Sequence, residues 1–190
     1  MIKKAKIVIY SLWILLIIGA LLTFALRPEV ASPEYIVRLI SRFSNEMLLA
    51  YIVVTIGRGF FLIPSTPFVI GGAILFPDNL FLVLVISMIG VLFSATALYY
   101  FSDLLGFSKY LEKKYPKGVE RWKERLQHPR AALFVLGWAF FPFVPTDLIC
   151  YVAGIVKMPY RFMFIGVFLG ELTLNVFYVY FGGGIFEAIF

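Results

Sequence analysis

Two apolar stretches, each cut by a Pro-x-x-Pro, constrain this chain more than anything else in it. One is Phe140-Phe-Pro-Phe-Val-Pro-Thr-Asp-Leu-Ile-Cys-Tyr-Val-Ala-Gly154, and the other is Ile63-Pro-Ser-Thr-Pro-Phe-Val-Ile-Gly-Gly72. Each proline lacks a backbone N–H and clashes with the preceding turn, so neither stretch predicts one straight helix. Pro64 and Pro67, and Pro142 and Pro145, instead predict pairs of short helices joined by a break. The later stretch also carries Asp147, two residues past its last proline. A carboxylate is costly in hydrocarbon unless it is paired, neutralised or wetted. A broken helix with an acid at the break is a way in which membrane transporters build a site.

Hydrocarbon is the relevant solvent, because 62% of the 190 residues are hydrophobic and only 15% are charged. A water-soluble domain of this size cannot bury that much apolar surface, so an all-α integral membrane protein is expected. One cysteine, Cys150, and one histidine, His128, exclude an internal disulfide and His/Cys sites for zinc, haem or iron–sulfur clusters. No metal or other cofactor is expected. The basic residues form no stripe interleaved with aromatics on a soluble face, which sets nucleic acid aside.

Lys3, Lys4 and Lys6 precede an unbroken apolar run, Ile7 to Leu26. Twenty residues at about 1.5 Å each match the ~30 Å hydrocarbon core. The run is longer than the apolar part of a cleaved signal peptide and lacks a small-residue cleavage site, so a retained first spanning helix is expected within residues 1–31. Ser32-Pro33-Glu34 then reads as N-cap, proline at N1 and an acid in the first turn. Ile36, Leu39, Ile40, Phe43 and Met47 recur at helical spacing, predicting an amphipathic surface helix or a connector packed on the bundle. Met47 to Phe76 is the first broken stretch, Leu80 to Phe101 a clean span, Ala131 to Val156 the second broken stretch, and Phe162 to Phe181 another clean span. Between the first span and the second break, Ser102 to Arg130 holds eight Lys/Arg and four Asp/Glu. There Val119, Trp122 and Leu126 form an apolar stripe beside Lys117, Arg121, Lys123 and Arg125. That pattern predicts either a solvated connector or a helix lying on anionic headgroups.

Basic residues set the expected orientation. If each broken stretch crossed the membrane once, a cytoplasmic N-terminus would put 102–130 outside. If each dips in and returns, 102–130, Lys157 and Arg161 are all cytoplasmic and the Lys/Arg-free tail is outside, as the positive-inside rule requires. The first hairpin then enters from outside and the second from inside, an inverted repeat about an axis in the membrane plane. Spacing agrees. Pro64 and Pro67 align with Pro142 and Pro145 at an offset of 78, and Gly71, Gly72 and Pro77 align with Ala153, Gly154 and Pro159 at 82. The second copy therefore gains about one helical turn where Asp147 lies. One membrane domain over 32–190 is expected, built from an amphipathic helix, a re-entrant hairpin and a spanning helix at about 32–103 and again at about 109–182. A short basic N-terminus on the cytoplasmic side fits a bacterial inner membrane.

These motifs resemble those of the DedA superfamily, also called the VTT-domain or SNARE-associated Golgi protein family. Arg58, Pro64, Pro67, Gly71 and Gly72 match its Arg…Pro-x-x-Pro…Gly-Gly hairpin. Pro142, Pro145, Asp147, Tyr151, Ala153 and Gly154 resemble its Pro-x-x-Pro-x-Asp-x-x-x-Tyr-x-Ala-Gly, the more specific of the two. The likeness covers roughly Leu48 to Gly182. Ala139 stands where members often carry arginine, Asp103 where Arg or Lys is common, and Phe68 and Val69 where DedA proper often has an acid. These departures place the chain nearer the Tvp-type branch. The resemblance implies movement of a phospholipid or a polyprenyl phosphate such as undecaprenyl phosphate across the bilayer.

Arg58, Asp147 and Glu171 are the ionisable residues expected at membrane depth. Arg58 can bind a lipid phosphate bidentately or pair internally with Asp147 or Glu171. Asp147 can face a cavity lined by freed backbone groups or cap the second half-helix. Glu171 lies four residues before Asn175, so the two share a helix face; it is a proton-carrier candidate or a partner in an interhelical hydrogen bond. Tyr151, from the second motif, joins them as a candidate substrate- or ion-binding residue, with protons or Na+ as candidate coupling ions. Gly166 and Gly170 predict close helix packing. No catalytic residue is expected: Ser65 sits between prolines outside any Gly-x-Ser-x-Gly, His128 lies in a loop, and no nucleophile is paired with a base. The leading expectation is a transporter or scramblase for a lipid with an anionic headgroup, using a groove between the hairpins. The alternatives are an ion- or proton-coupled small-solute transporter and a non-transporting membrane-organising scaffold.

Overall fold

In hydrocarbon every backbone N–H and C=O must find a partner within the protein, which leaves helices as the structure open to this composition. The computed structural model, which describes residues 11–189 apart from 14, 21, 24, 25, 105–112, 142 and 143, has only helices among its regular elements. They are α1 (Pro33–Ser41), α2 (Met47–Gly57), α3 (Thr66–Leu75), α4 (Leu80–Leu104), α5 (Pro116–Leu126), α6 (Arg130–Ala139), α7 (Thr146–Ile155) and α8 (Tyr160–Ile189). Among the described residues, Pro77–Ser102 and Tyr160–Gly182 are the two helical segments long and apolar enough to cross a membrane. The arms α2, α3, α6 and α7 have 10 or 11 residues each. At ~1.5 Å per residue they measure about 15 Å, half of the hydrocarbon thickness.

Lys3, Lys4, Lys6 and Pro142 lie outside the described residues, as does part of the expected first span. Within it, Ser11–Ala20 is an apolar helical stretch. Trp13 donates from Nε1 to the Phe60 carbonyl at 2.9 Å and packs its ring against Phe101 and Tyr151.

Local chemistry places the ends of the helices. The Ser32 hydroxyl accepts from the Tyr35 N–H at 3.2 Å, with Pro33 and Glu34 in the first turn of α1. Buried Ile36 and Ile40 then seat α1 on α3. The helix expected to run on to Met47 stops at Ser41, because Arg42 to Glu46 folds into turns closed by Phe43 N–H to Ile40 and Glu46 N–H to Phe43. Ser44 and Asn45 favour such turns over helix interiors, and Phe43 is left exposed.

Each break is built differently. α2 passes into a 3-10 turn, Arg58–Phe61, and ends on Leu62 at φ 56°. The Leu62 N–H bonds to the Gly59 carbonyl and the Ile63 N–H to the Arg58 carbonyl, a Schellman motif with leucine where glycine is usual. Pro67 then sits in the first turn of α3. In the second stretch α6 stops after Ala139, and Pro145, in extended conformation, is the N-cap of α7. The far end of α7 closes on a second Schellman motif, with Lys157 at φ 55° and the Met158 N–H on the Ala153 carbonyl.

The long helices α4 and α8 pack together at the centre. α4 packs on α2 and α7, and α8 packs on α6 and α3. The arms of each hairpin lie against these helices more than against each other. Small residues allow it: a Cβ on Gly154 would lie 2.1 Å from the Tyr99 carbonyl oxygen of α4, and one on Gly170 2.7 Å from Ala139 Cβ. Two apolar clusters result. Ile36, Ile40, Tyr51, Val69 and Val83 belong to one, and Val91, Val135, Cys150, Met163 and Val167 to the other.

Candidate functional site: a buried charge cluster between the breaks

Arg58, Asp147 and Glu171 lie far apart in sequence, yet all three are almost fully buried, at 4%, 3% and 2% exposure. Arg58 lies where α2 tightens into its 3-10 turn. The left-handed Leu62 turns the chain back, so that Arg58 Nη1 donates to the Ile63 carbonyl at 2.7 Å. The same nitrogen donates to Asp147 Oδ2 at 3.0 Å, an ion pair tying the first break to α7. Asp147 thus takes the internal pairing weighed for Arg58, and α7 has no side-chain cap. Gly59 is part of this geometry, since a Cβ there would meet Ser94 Oγ at 2.2 Å and Asp147 Oδ1 at 3.2 Å.

Glu171, on α8, receives donors from both breaks. Its Oε1 accepts from the Thr146 hydroxyl at 2.5 Å, and its Oε2 accepts from Ser65 at 3.4 Å and from Asn175 Nδ2 at 3.2 Å. Asn175 Nδ2 also reaches the Glu171 carbonyl at 2.8 Å. The positive ends of α3 and α7 face the same region, which favours carboxylates there. Sequence reasoning passed over Thr146 and considered Ser65 only as a nucleophile. A signal was present: each is the hydroxyl beside a break proline in an otherwise apolar stretch, where a polar side chain needs a partner. Tyr151, one turn along α7 from Asp147, places its ring centroid 5.5 Å from that of Trp13.

Arg58, Ser65, Thr146 and Glu171 line a cavity of 10 Å³ walled by Pro64, Pro145, Phe141 and Val144, room for about one water molecule. Arg58 also lines a cleft of 380 Å³ beneath α1, with Tyr35, Ile36, Val54 and Phe68. The residue therefore borders two spaces. Arg58 Nε and Asn175 Oδ1 are buried without a hydrogen-bond partner, so each retains capacity for a ligand atom. Chemically the cluster offers one cation with an unused donor, a carboxylate that an anion can displace from it, and a second carboxylate held by neutral donors.

Among the described residues, half-length arms and two helices long and apolar enough to cross a membrane surround this cluster. The family model of the VTT domain matches residues 63–183, and the chain belongs to this family, the DedA/SNARE-associated group of membrane proteins. The match takes in both Pro-x-x-Pro motifs, starts five residues after Arg58, and does not separate the Tvp-type branch from the rest. No curated protein and no solved structure matches the chain.

Proposed function

We propose that the protein moves a lipid with an anionic headgroup, a phospholipid or a polyprenyl phosphate, between membrane leaflets where its two broken stretches meet. The observation that carries this reading is the Arg58–Asp147 pair, which joins the two breaks beside a cavity also lined by Glu171. A phosphate can meet the guanidinium on its Nε–Nη2 edge, where Nε has no partner, or compete with Asp147 for Nη1. Glu171 then takes up a proton or Na+ to offset the added negative charge, and the polar groups of both breaks replace water around the headgroup.

On this reading α2–α3 and α6–α7 are re-entrant hairpins entering from opposite faces. Three facts support it: the arms are half the hydrocarbon thickness, the basic residues gather at 102–130, 157 and 161, and each long helix packs on the first arm of its own hairpin and the second arm of the other. That last exchange is the pattern an inverted repeat produces. The N-terminus then faces the cytoplasm, in a bacterial inner membrane.

The test is reconstitution in vesicles with a fluorescent lipid, reading exchange between leaflets. The double variant Arg58→Gln with Asp147→Asn keeps a hydrogen-bonded neutral pair and should slow transfer about 10–100-fold, the loss of a charged hydrogen bond worth roughly 1.5–3 kcal/mol. Wild-type transfer in that variant sinks the site assignment. Solute uptake or substrate-evoked current without lipid exchange favours the small-solute transporter instead.

A further inference from the structure

We propose that the arms α6 and α7 hold a membrane lipid of anionic headgroup, with one acyl chain between the arms and its headgroup on the basic rim at their outer ends. The arms flank an open groove of 410 Å³ lined by Leu126, Phe134, Trp138, Leu148, Val152 and Met158, among other apolar side chains. The indole N–H of Trp138, a polar atom on that wall, is turned to the Pro145 carbonyl at 3.4 Å. A second cleft of 410 Å³ continues along α6 past Phe134 and Trp138 to Phe141 and Val144. Those last two residues also wall the small cavity beside Arg58 and Glu171. The result is one apolar track about as long as α6, from the outer end of the arms to the charge cluster. Phe134, Leu148 and Val152 on its walls are exposed, so the groove is open along its length, and its lining is apolar. In a bilayer a hydrocarbon chain fits such a groove and water does not.

In a bilayer the chain alone gives no selectivity, because lipid tails are as apolar as the slot. The headgroup must supply it, and the rim is basic. Lys157 lies between Val156 and Met158, both of which line the mouth, while Arg130 opens α6 and Arg161 follows at the start of α8; all three are exposed. α5, whose Leu126 lines the mouth, carries Lys117, Arg121, Lys123 and Arg125 against Glu120 and Glu124. The corresponding end of α3 carries Asp78 and no basic residue before α4, and the cleft of that hairpin lies beneath α1. The lipid site therefore belongs to one hairpin only. It rests on the membrane placement proposed above and does not require that the bound lipid be moved.

The chain has three tryptophans, so Trp13→Phe with Trp122→Phe leaves Trp138 as the fluorophore in the slot. In phosphatidylcholine vesicles, brominated-chain phosphatidylglycerol should quench Trp138 at a mole fraction several-fold lower than brominated-chain phosphatidylcholine, because the basic rim attracts the anionic headgroup. Arg130→Gln with Lys157→Gln should equalise the two lipids, and Val152→Phe should weaken quenching by both. Equal quenching with the rim intact overturns the proposal. Native mass spectrometry of the unaltered protein in a mixture of the two lipids gives an independent readout: retention of phosphatidylglycerol is expected, and its persistence in the Arg130→Gln, Lys157→Gln variant overturns the rim assignment. Binding with no leaflet exchange keeps this inference and removes the transport reading; exchange with equal quenching does the reverse.

Discussion

α1 lies along α3 with Ile36 and Ile40 buried, and the run Phe68 to Ala73 of α3 is buried in turn. α5 meets α6 and leaves α7 with Leu148 and Val152 at 38% and 40% exposure. Both hairpins begin from the same Pro-x-x-Pro chemistry, so the break itself does not decide how an arm is covered. The amphipathic helix before it does. α1 presents isoleucines one turn apart, and Gly71 lets it approach, since a Cβ there would lie 3.2 Å from Ile36. α5 is dense in charge, and such a helix is held at a polar surface rather than down on an apolar arm. One hairpin is thereby roofed and the other left open at its outer end, although both contribute to the charge cluster at their inner ends.

The cluster is where the two hairpins depend on each other, and breaking it should have the largest effect. Asp147→Ala strands a buried guanidinium and is expected to lower stability by about 3–5 kcal/mol, read as loss of monodisperse protein on heating in detergent. Adding Arg58→Met should recover most of that loss, while lipid transfer is slowed by about 10–100-fold, as for the neutral pair. A double variant no more stable than the single would show that Arg58 alone, and not the pair, links the hairpins.

The contrast between roofed and open hairpins should appear next. Ile40→Ala leaves a cavity beneath α1 and is expected to cost about 2 kcal/mol, whereas Leu126→Ala at the partly exposed mouth of the open hairpin should cost under about 1 kcal/mol. Equal shifts in thermal unfolding would erase the distinction. The smallest effect separates the two left-handed turns. Lys157→Gly, at an exposed position, should gain about 1 kcal/mol by relieving a left-handed lysine. Leu62→Gly should gain less, because half-buried Leu62 loses its contacts along with its strain. A larger gain at Leu62 would mean that the first break is the more strained of the two.

What was legible in the sequence followed from local requirements. The start of α1 can be read because Ser32, Pro33 and Glu34 each meet a different need of a helix N-terminus. The spans at Leu80 to Phe101 and Phe162 to Phe181 fall inside α4 and α8, although α8 runs on through Gly182 despite the helix-weakening glycines there. Arg58, Asp147, Glu171 and Asn175 stand out because polar groups in apolar segments need partners. Which partner each finds is not a local property. Arg58 had Asp147 and Glu171 open to it, and the choice depends on how α2 and α7 both pack on α4. Ser65 and Thr146 were hidden for the same reason: a hydroxyl beside a proline has many local explanations, and only α8 between the breaks makes both of them donors to Glu171.

Arg58 also bears on the order in which the chain can be inserted. It is synthesised 89 residues before Asp147, roughly 4–18 s at ordinary elongation rates, and an unpaired guanidinium at mid-bilayer costs several kcal/mol. Through that interval neither Asp147 nor Glu171 exists for the first hairpin to meet, and Ser65 waits for Glu171, 106 residues on. The first hairpin is therefore expected to stay near the headgroups until the second is made, and the two to enter as a unit. A stalled chain ending after Leu104 would contain no native cysteine. Carrying Phe60→Cys, it should react with a water-soluble maleimide that the full-length chain excludes, and a protected thiol in the stalled chain would show that the first hairpin inserts alone.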